Sequence, residues 1–241
     1  MLLSRRHLLA ASAALGWAAG SSPVFASDAL VEPFLRLSIP AEASPRIVAL
    51  TLDACPGGFD ERIAQALVQE RIPATIFVTA LWLKGNARAL GFLLDHRDLF
   101  TLENHGARHV PPVLSDGSVC GLHAAGTLDA VRREVLDGAT AITDAAHIAP
   151  RWYRGATARY SPAAMAMIEG MGLRIAGYSL NADAGVSLPA ASVAARMAKA
   201  RHGDVIIGHI NQPHRPSGEG IVAGVKALRR DGAVFVGLPI G

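Results

Sequence analysis

Residues 46–58 read RIVALTLDACPGG. Apolar and β-branched residues lead into Asp53, and the chain then turns at once through Pro56, Gly57 and Gly58. A short apolar run closed by Pro and Gly has the pattern of a buried strand. The turn that follows is neither GxGxxG nor a Walker loop, so this strand does not open onto a phosphate-binding helix. It delivers a single carboxylate to its C-terminal end and stops, the place where barrel enzymes carry their chemistry.

The same grammar repeats along the chain. ATIFVT (74–79), LFTLENH (99–105), RWYR (151–154), RIAGYSL (174–180), DVIIGH (204–209) and AVFVGL (233–238) read as further strands. Between them, DERIAQALVQERI (60–72), NARALGFLLDHR (86–97), SPAAMAMIEGMG (161–172), LPAASVAARMAKAR (188–201) and EGIVAGVKALRRDG (219–232) read as helices. Thr127 is placed to cap a helix from Leu128 to about Ala145, since its hydroxyl can accept an orphan amide. The stretch from Val110 to Gly126, rich in Pro and Gly, reads as a long connection. About seven strands alternating with helices imply an α/β fold with a parallel sheet, closed or nearly closed into a barrel. A doubly wound open sheet is the structural alternative.

Half of the residues are apolar and only 18% are charged, which excludes a disordered chain. The net charge of +3 falls by two if a leader carrying Arg5 and Arg6 is removed, so a nucleic-acid surface is not supported. Residues 1–26 have the form of a signal peptide of the twin-arginine type. Arg5-Arg6 precedes an apolar run from Leu8 to about Gly20, and Val24-Phe25-Ala26 fits a cleavage site. The run is shorter than the roughly 20 residues of a membrane span, so no stable membrane insertion is expected. Export to a periplasm or the extracellular space follows, with a single domain over 27–241. Cys55 and Cys120 would then meet an oxidising compartment, where one disulfide is possible.

The strand ends carry the candidate chemistry: Asp53, His105, Arg154 and His209, with Asn181 and Asp183 after RIAGYSL. In a barrel these ends converge on one mouth. His105 and His109, four apart in ENHGARHVPP, can face one metal ion. No GxSxG elbow is present, which disfavours a serine hydrolase.

TLDACP, NHGARH, YRGATARY, YSLNAD and IIGH follow the order and spacing of five motifs, and over residues 46–240 the chain resembles the polysaccharide deacetylase (NodB-homology, carbohydrate esterase family 4) family. The resemblance implies a distorted (β/α)7 barrel. It also implies a metal-dependent deacetylase acting on the acetyl groups, N-acetyl first, of a cell-envelope or extracellular polysaccharide containing N-acetylglucosamine. By position it makes Asp53 the general base and His105 and His109 metal ligands. Arg154 holds Asp53 by an ion pair, and His209 is the general acid. In the fourth motif Asn181 stands where the family often has the aspartate that orients this acid, and Asp183, two residues on, can take that role or be a plain loop aspartate. The cofactor is a divalent metal, zinc first, with cobalt, nickel and manganese as alternatives.

The first motif departs from the family at Ala54, where a metal-binding aspartate is usual. Asp53 can move to the metal, giving His105, His109 and Asp53 as ligands. Cys55 can ligate as a thiolate, or water can fill the place. Asp60 is expected to cap the next helix. Trp82, Trp152 and Tyr153 are either sugar-stacking or packing residues, and His123 can shape the groove. Two rival functions remain: an inactive glycan-binding barrel, and an amidohydrolase acting on a non-sugar amide. The sequence does not fix an oligomeric state.

Overall fold

The computed structural model describes residues 29–40 and 45–239; the leader expected over 1–26 lies outside them. Its central sheet is built from β1 (Ile47–Ala54), β2 (Ala74–Val78), β3 (Phe100–Asn104), β6 (Trp152–Tyr153), β7 (Arg174–Ile175), β8 (Leu180–Asn181), β9 (Val205–His209) and β10 (Val234–Val236). The order is β7-β6-β3-β2-β1-β9-β8, with β10 on the N-terminal half of β1, and every pair is parallel. Helices α1 (Glu61–Gln69), α2 (Ala80–Gly85), α3 (Ala87–Asp95), α4 (Leu128–Ala146), α5 (Pro162–Gly170), α6 (Ala190–Met197) and α7 (Ser217–Arg230) complete the α/β alternation. This is the (β/α)7 barrel architecture in distorted, incompletely closed form.

Strand β1 shows why the layers form. Val48, Leu50, Leu52 and Ala54 join the large apolar cluster that includes α1, α6 and α7 residues such as Leu67, Met197 and Leu228. Their alternates face the other way: Ala49 packs with Phe77, Trp152, Ala176, Val205 and Leu238 inside the curled sheet. Successive side chains of a strand point to opposite faces, so Thr51 and Asp53 share the interior with Ala49. Each fully buried Leu or Ile contributes about 1.5–3 kcal/mol, and the helix-side layer holds most of them.

The RIAGYSL segment does not form one strand. Its first half, β7, pairs with β6, and its second half, β8, pairs with β9. The two edges of the sheet are therefore only residues 176–179 apart along the chain, yet they are not paired with each other. A segment near the N-terminus crosses this seam, with backbone bridges Val31–Tyr160, Phe34–Tyr178 and Arg36–Asp204. A Cβ on Gly177 would collide with the Pro33 carbonyl, so glycine lets the segment lie down at the point where the strand breaks.

Thr127 caps α4, accepting from Ala130 N, and Asp60 caps α1, accepting from Arg62 N. The connection after β3 contains an element that the sequence pattern does not reveal, a hairpin of β4 (Ser118–Val119) and β5 (Leu122–His123). Its turn residues, Cys120 and Gly121, both have positive φ, as a type I′ hairpin turn requires. Among the described residues no helix is long and apolar enough to cross a membrane.

Candidate active site

Asp53 ends the inward-facing row of β1 and is almost fully buried. Arg154, fully buried after β6, donates from Nη1 to Asp53 Oδ1 at 2.7 Å and from Nη2 to Thr51 Oγ1 at 2.9 Å. Nε and Nη2 also donate to the carbonyls of Ala176 and Gly177, and the guanidinium lies 4.3 Å from the Phe77 ring centroid. Burial alone would raise the Asp53 pKa. The charges of Arg154, His105 and His209 outweigh it and hold the carboxyl below its ordinary range.

His105 is buried just past β3, and its Nδ1 donates to the Arg154 carbonyl at 2.6 Å. That bond fixes the tautomer and turns Nε2 into the cavity. Cys55 Sγ stands 3.4 Å from this nitrogen, and Asp53 Oδ2 stands 3.8 Å from it. His109 places its ring edge-on to His105, with centroids 4.9 Å apart. One donor atom each from Cys55, His105 and His109 lie within 4.8 Å of one another. Asp53 is not a member of that group.

Burial opposes ionisation of the Cys55 thiol, but His105, with hydrogen bonds from His109 and His209, brings its pKa well below the ordinary value. In His105, burial is likewise outweighed by Asp53 and Cys55, which raise its pKa. Protonation of His105 would compete with a metal here, so loading weakens in acid.

His109 has φ +66°, a left-handed conformation uncommon for a residue with a side chain. Glu134 on α4 holds it there: its Oε1 accepts from Arg108 N at 2.7 Å and Val110 N at 3.1 Å, on either side of His109. Glu134 was not a sequence candidate. The signal was an acid on the buried stripe of α4, between Val131 and Val135 and in line with Gly138 and Ile142.

His209 ends β9, which runs beside β1 with Asp53 opposite His209. Its Nδ1 donates to Asp183 at 3.0 Å, and its backbone N–H donates to the same carboxylate at 2.8 Å. Burial lowers the His209 pKa, but the Asp183 and Cys55 hydrogen bonds raise it well above the ordinary value. Asn181 accepts from Ala184 N and shapes the turn that presents Asp183.

Asp53, Cys55, His105, His109 and His209 line one cavity of about 850 Å³, with Glu32, Arg108, Arg159 and Tyr178 on its walls. Glu32 comes from the segment across the seam and accepts from the Tyr178 hydroxyl. Trp82 and Tyr153 are fully buried and Trp152 nearly so, which makes them packing residues and not sugar-stacking ones. Trp82 Nε1 instead donates to the Gly58 carbonyl. Cys55 and Cys120 are both free thiols.

The donor set suits a divalent metal. It offers two imidazoles and one anionic group around a partly open cavity, the composition of catalytic zinc sites.

A profile of the polysaccharide deacetylase family matches residues 41–176. A search of curated protein sequences returns no match. Among solved structures, the peptidoglycan N-acetylglucosamine deacetylase Bc1960 is similar with TM-score 0.67 at 19% identity, over 86% of this chain and 90% of its own. A family 4 acetyl xylan esterase from Clostridium thermocellum, in complex with a cobalt ion, gives TM-score 0.64 at 22% identity, over 80% and 88%. A pseudoenzyme of the same carbohydrate esterase family from Bacillus anthracis gives 0.63 at 16%, over 81% and 64%. At these identities the likeness is one of fold, while the profile spans more than half of the sequence; the chain belongs to the polysaccharide deacetylase family.

Proposed function

We propose that this chain is an exported, metal-dependent deacetylase that hydrolyses the N-acetyl groups of a cell-envelope or extracellular polysaccharide containing N-acetylglucosamine. One observation carries the reading: an Arg-paired aspartate, two metal-competent histidines and a carboxylate-oriented histidine all reach one cavity from separate strand ends. The Arg5-Arg6 leader supports export.

Each group has a task in amide hydrolysis. A divalent cation held by the two histidines and a third donor would polarise the acetyl carbonyl and acidify the attacking water. Asp53, kept ionised by Arg154, takes the proton from that water. His209, kept protonated by Asp183, gives a proton to the departing amine nitrogen. Water adds its oxygen to the carbonyl carbon, the C–N bond breaks, and acetate and the free amine leave.

The test is acetate release from N-acetylglucosamine oligomers and from peptidoglycan, before and after chelation and with zinc restored. Release that is lost on chelation and returns with zinc supports the proposal. Binding of the oligomers without acetate release would favour the inactive barrel, to which the Bacillus anthracis pseudoenzyme lends weight. Turnover confined to small non-sugar amides would favour the other amidohydrolase.

A further inference from the structure

We infer that Cys55 supplies the third metal ligand as a thiolate and that Asp53 is left free as the base. The inference rests on the metal-dependent reading above and refines it.

The argument begins with strand parity. Ala54 faces away from the barrel interior into the helix-side core, fully buried with Leu50, Leu52 and Val78. The inward row of β1 is Ala49, Thr51 and Asp53, and the next residue of that parity is Cys55, which lines the cavity. The missing carboxylate at position 54 is therefore answered one residue later by an anionic donor on the face that sees the histidines.

Distances point the same way. Zinc bonds of about 2.3 Å to sulfur and about 2.0–2.1 Å to nitrogen, at a tetrahedral angle, set a sulfur–nitrogen edge of about 3.6 Å. The observed separation of Cys55 Sγ and His105 Nε2 is 3.4 Å. Sulfur and both imidazoles already cluster within 4.8 Å, without Asp53. Asp53 has committed Oδ1 to Arg154 at 2.7 Å, and its Oδ2 lies 3.8 Å from His105 Nε2. That places the carboxylate beside the donor cluster, where a base for the attacking water belongs. Charge is conserved as well, because one thiolate replaces one carboxylate. A soft sulfur donor shifts preference towards zinc and cobalt and away from manganese.

Cobalt(II) provides a readout independent of turnover, since a thiolate bound to it produces a charge-transfer band in the near ultraviolet. The cobalt-loaded wild type is expected to show that band. Cys55→Ser should abolish it and weaken zinc binding by more than about 100-fold, beyond the 10–100-fold typical of outer-sphere changes. Asp53→Asn should keep both band and metal while losing activity, and Cys120→Ser should keep all three. A wild type that binds cobalt and deacetylates without the band overturns the inference and leaves the proposed function standing. This arm needs no variant to fold. A band that survives Cys55→Ser, or vanishes in Cys120→Ser, also overturns it. A wild type that takes up neither zinc nor cobalt overturns the inference and the metal-dependent function together.

Discussion

Arg154 Nη1 reaches Asp53 Oδ1 at 2.7 Å, and the carbonyl of the same arginine accepts from His105 Nδ1 at 2.6 Å. One residue thus fixes the charge of the proposed base with its side chain and the tautomer of a candidate metal-binding histidine with its backbone. The backbone half of that arrangement survives mutation and the side-chain half does not. Arg154→Ala is expected to leave Asp53 buried without its counter-charge and to cost about 3–5 kcal/mol in denaturant unfolding. Asp53→Asn leaves the buried Arg154 guanidinium without its partner and should cost a similar amount, while acetate release by the folded fraction falls about 10²–10⁴-fold.

Asp183 raises the His209 pKa above that of a free imidazole. As the proposed proton donor, His209 acts only when protonated, so the raised value extends activity towards alkaline pH. In Asp183→Asn the alkaline limb of the kcat profile should move to lower pH, with a greater loss at pH 8 than at pH 6. A limb that stays in place would assign it to another group. His209→Ala should lower kcat about 10²–10⁴-fold with the alkaline limb gone.

Glu134 brackets His109 from α4 without touching the cavity. Glu134→Ala frees the amides of Arg108 and Val110 and lets His109 leave its left-handed conformation. Zinc affinity, measured by competition with a chromophoric chelator, should drop about 10–100-fold. Unchanged affinity would show that the loop holds His109 unaided.

Glu103 has a different character. Burial pushes its pKa up to about 7, although its Oε2 accepts from Arg151 N and Trp152 N at 2.7 Å each. The folded molecule then binds this proton more tightly than the unfolded chain. The contribution to stability is full below the unfolded pKa and is lost as pH rises through about 7. Glu103→Gln keeps an acceptor for both amides and removes the buried charge. Its unfolding free energy should exceed that of the wild type at pH 8 by up to about 3 kcal/mol, with the gain vanishing below about pH 4. A gain independent of pH would assign the effect to packing.

The barrel was legible because apolar runs and helical periodicity alternate so regularly, and Thr127 and Pro162 mark the starts of α4 and α5 as their chemistry requires. The remaining features depend on tertiary placement. RIAGYSL has the composition of a single strand, and its division at Gly177 is imposed by Pro33, more than 140 residues earlier. The β4–β5 hairpin has strands of two residues each, too short to show a period. Trp152 and Tyr153 sit at a strand end like the site residues, but both are buried, Trp152 inside the curled sheet and Tyr153 against α4 and α5 residues. Cys55 is legible in the same way. The alternation of Ala49, Thr51 and Asp53 against Val48, Leu50, Leu52 and Ala54 already separates two faces, and parity alone puts Cys55 with the reactive one.

The segment that crosses the seam between β7 and β8 makes the sheet's unfinished ring depend on the first described stretch of the chain. Glu32, carried on it, forms part of the cavity wall. If the proposed leader is cut near residue 26, only a few residues upstream, maturation would have a narrow tolerance. Trimming that runs past Val31 would open a door in the side of that cavity, even with every candidate catalytic group still in place.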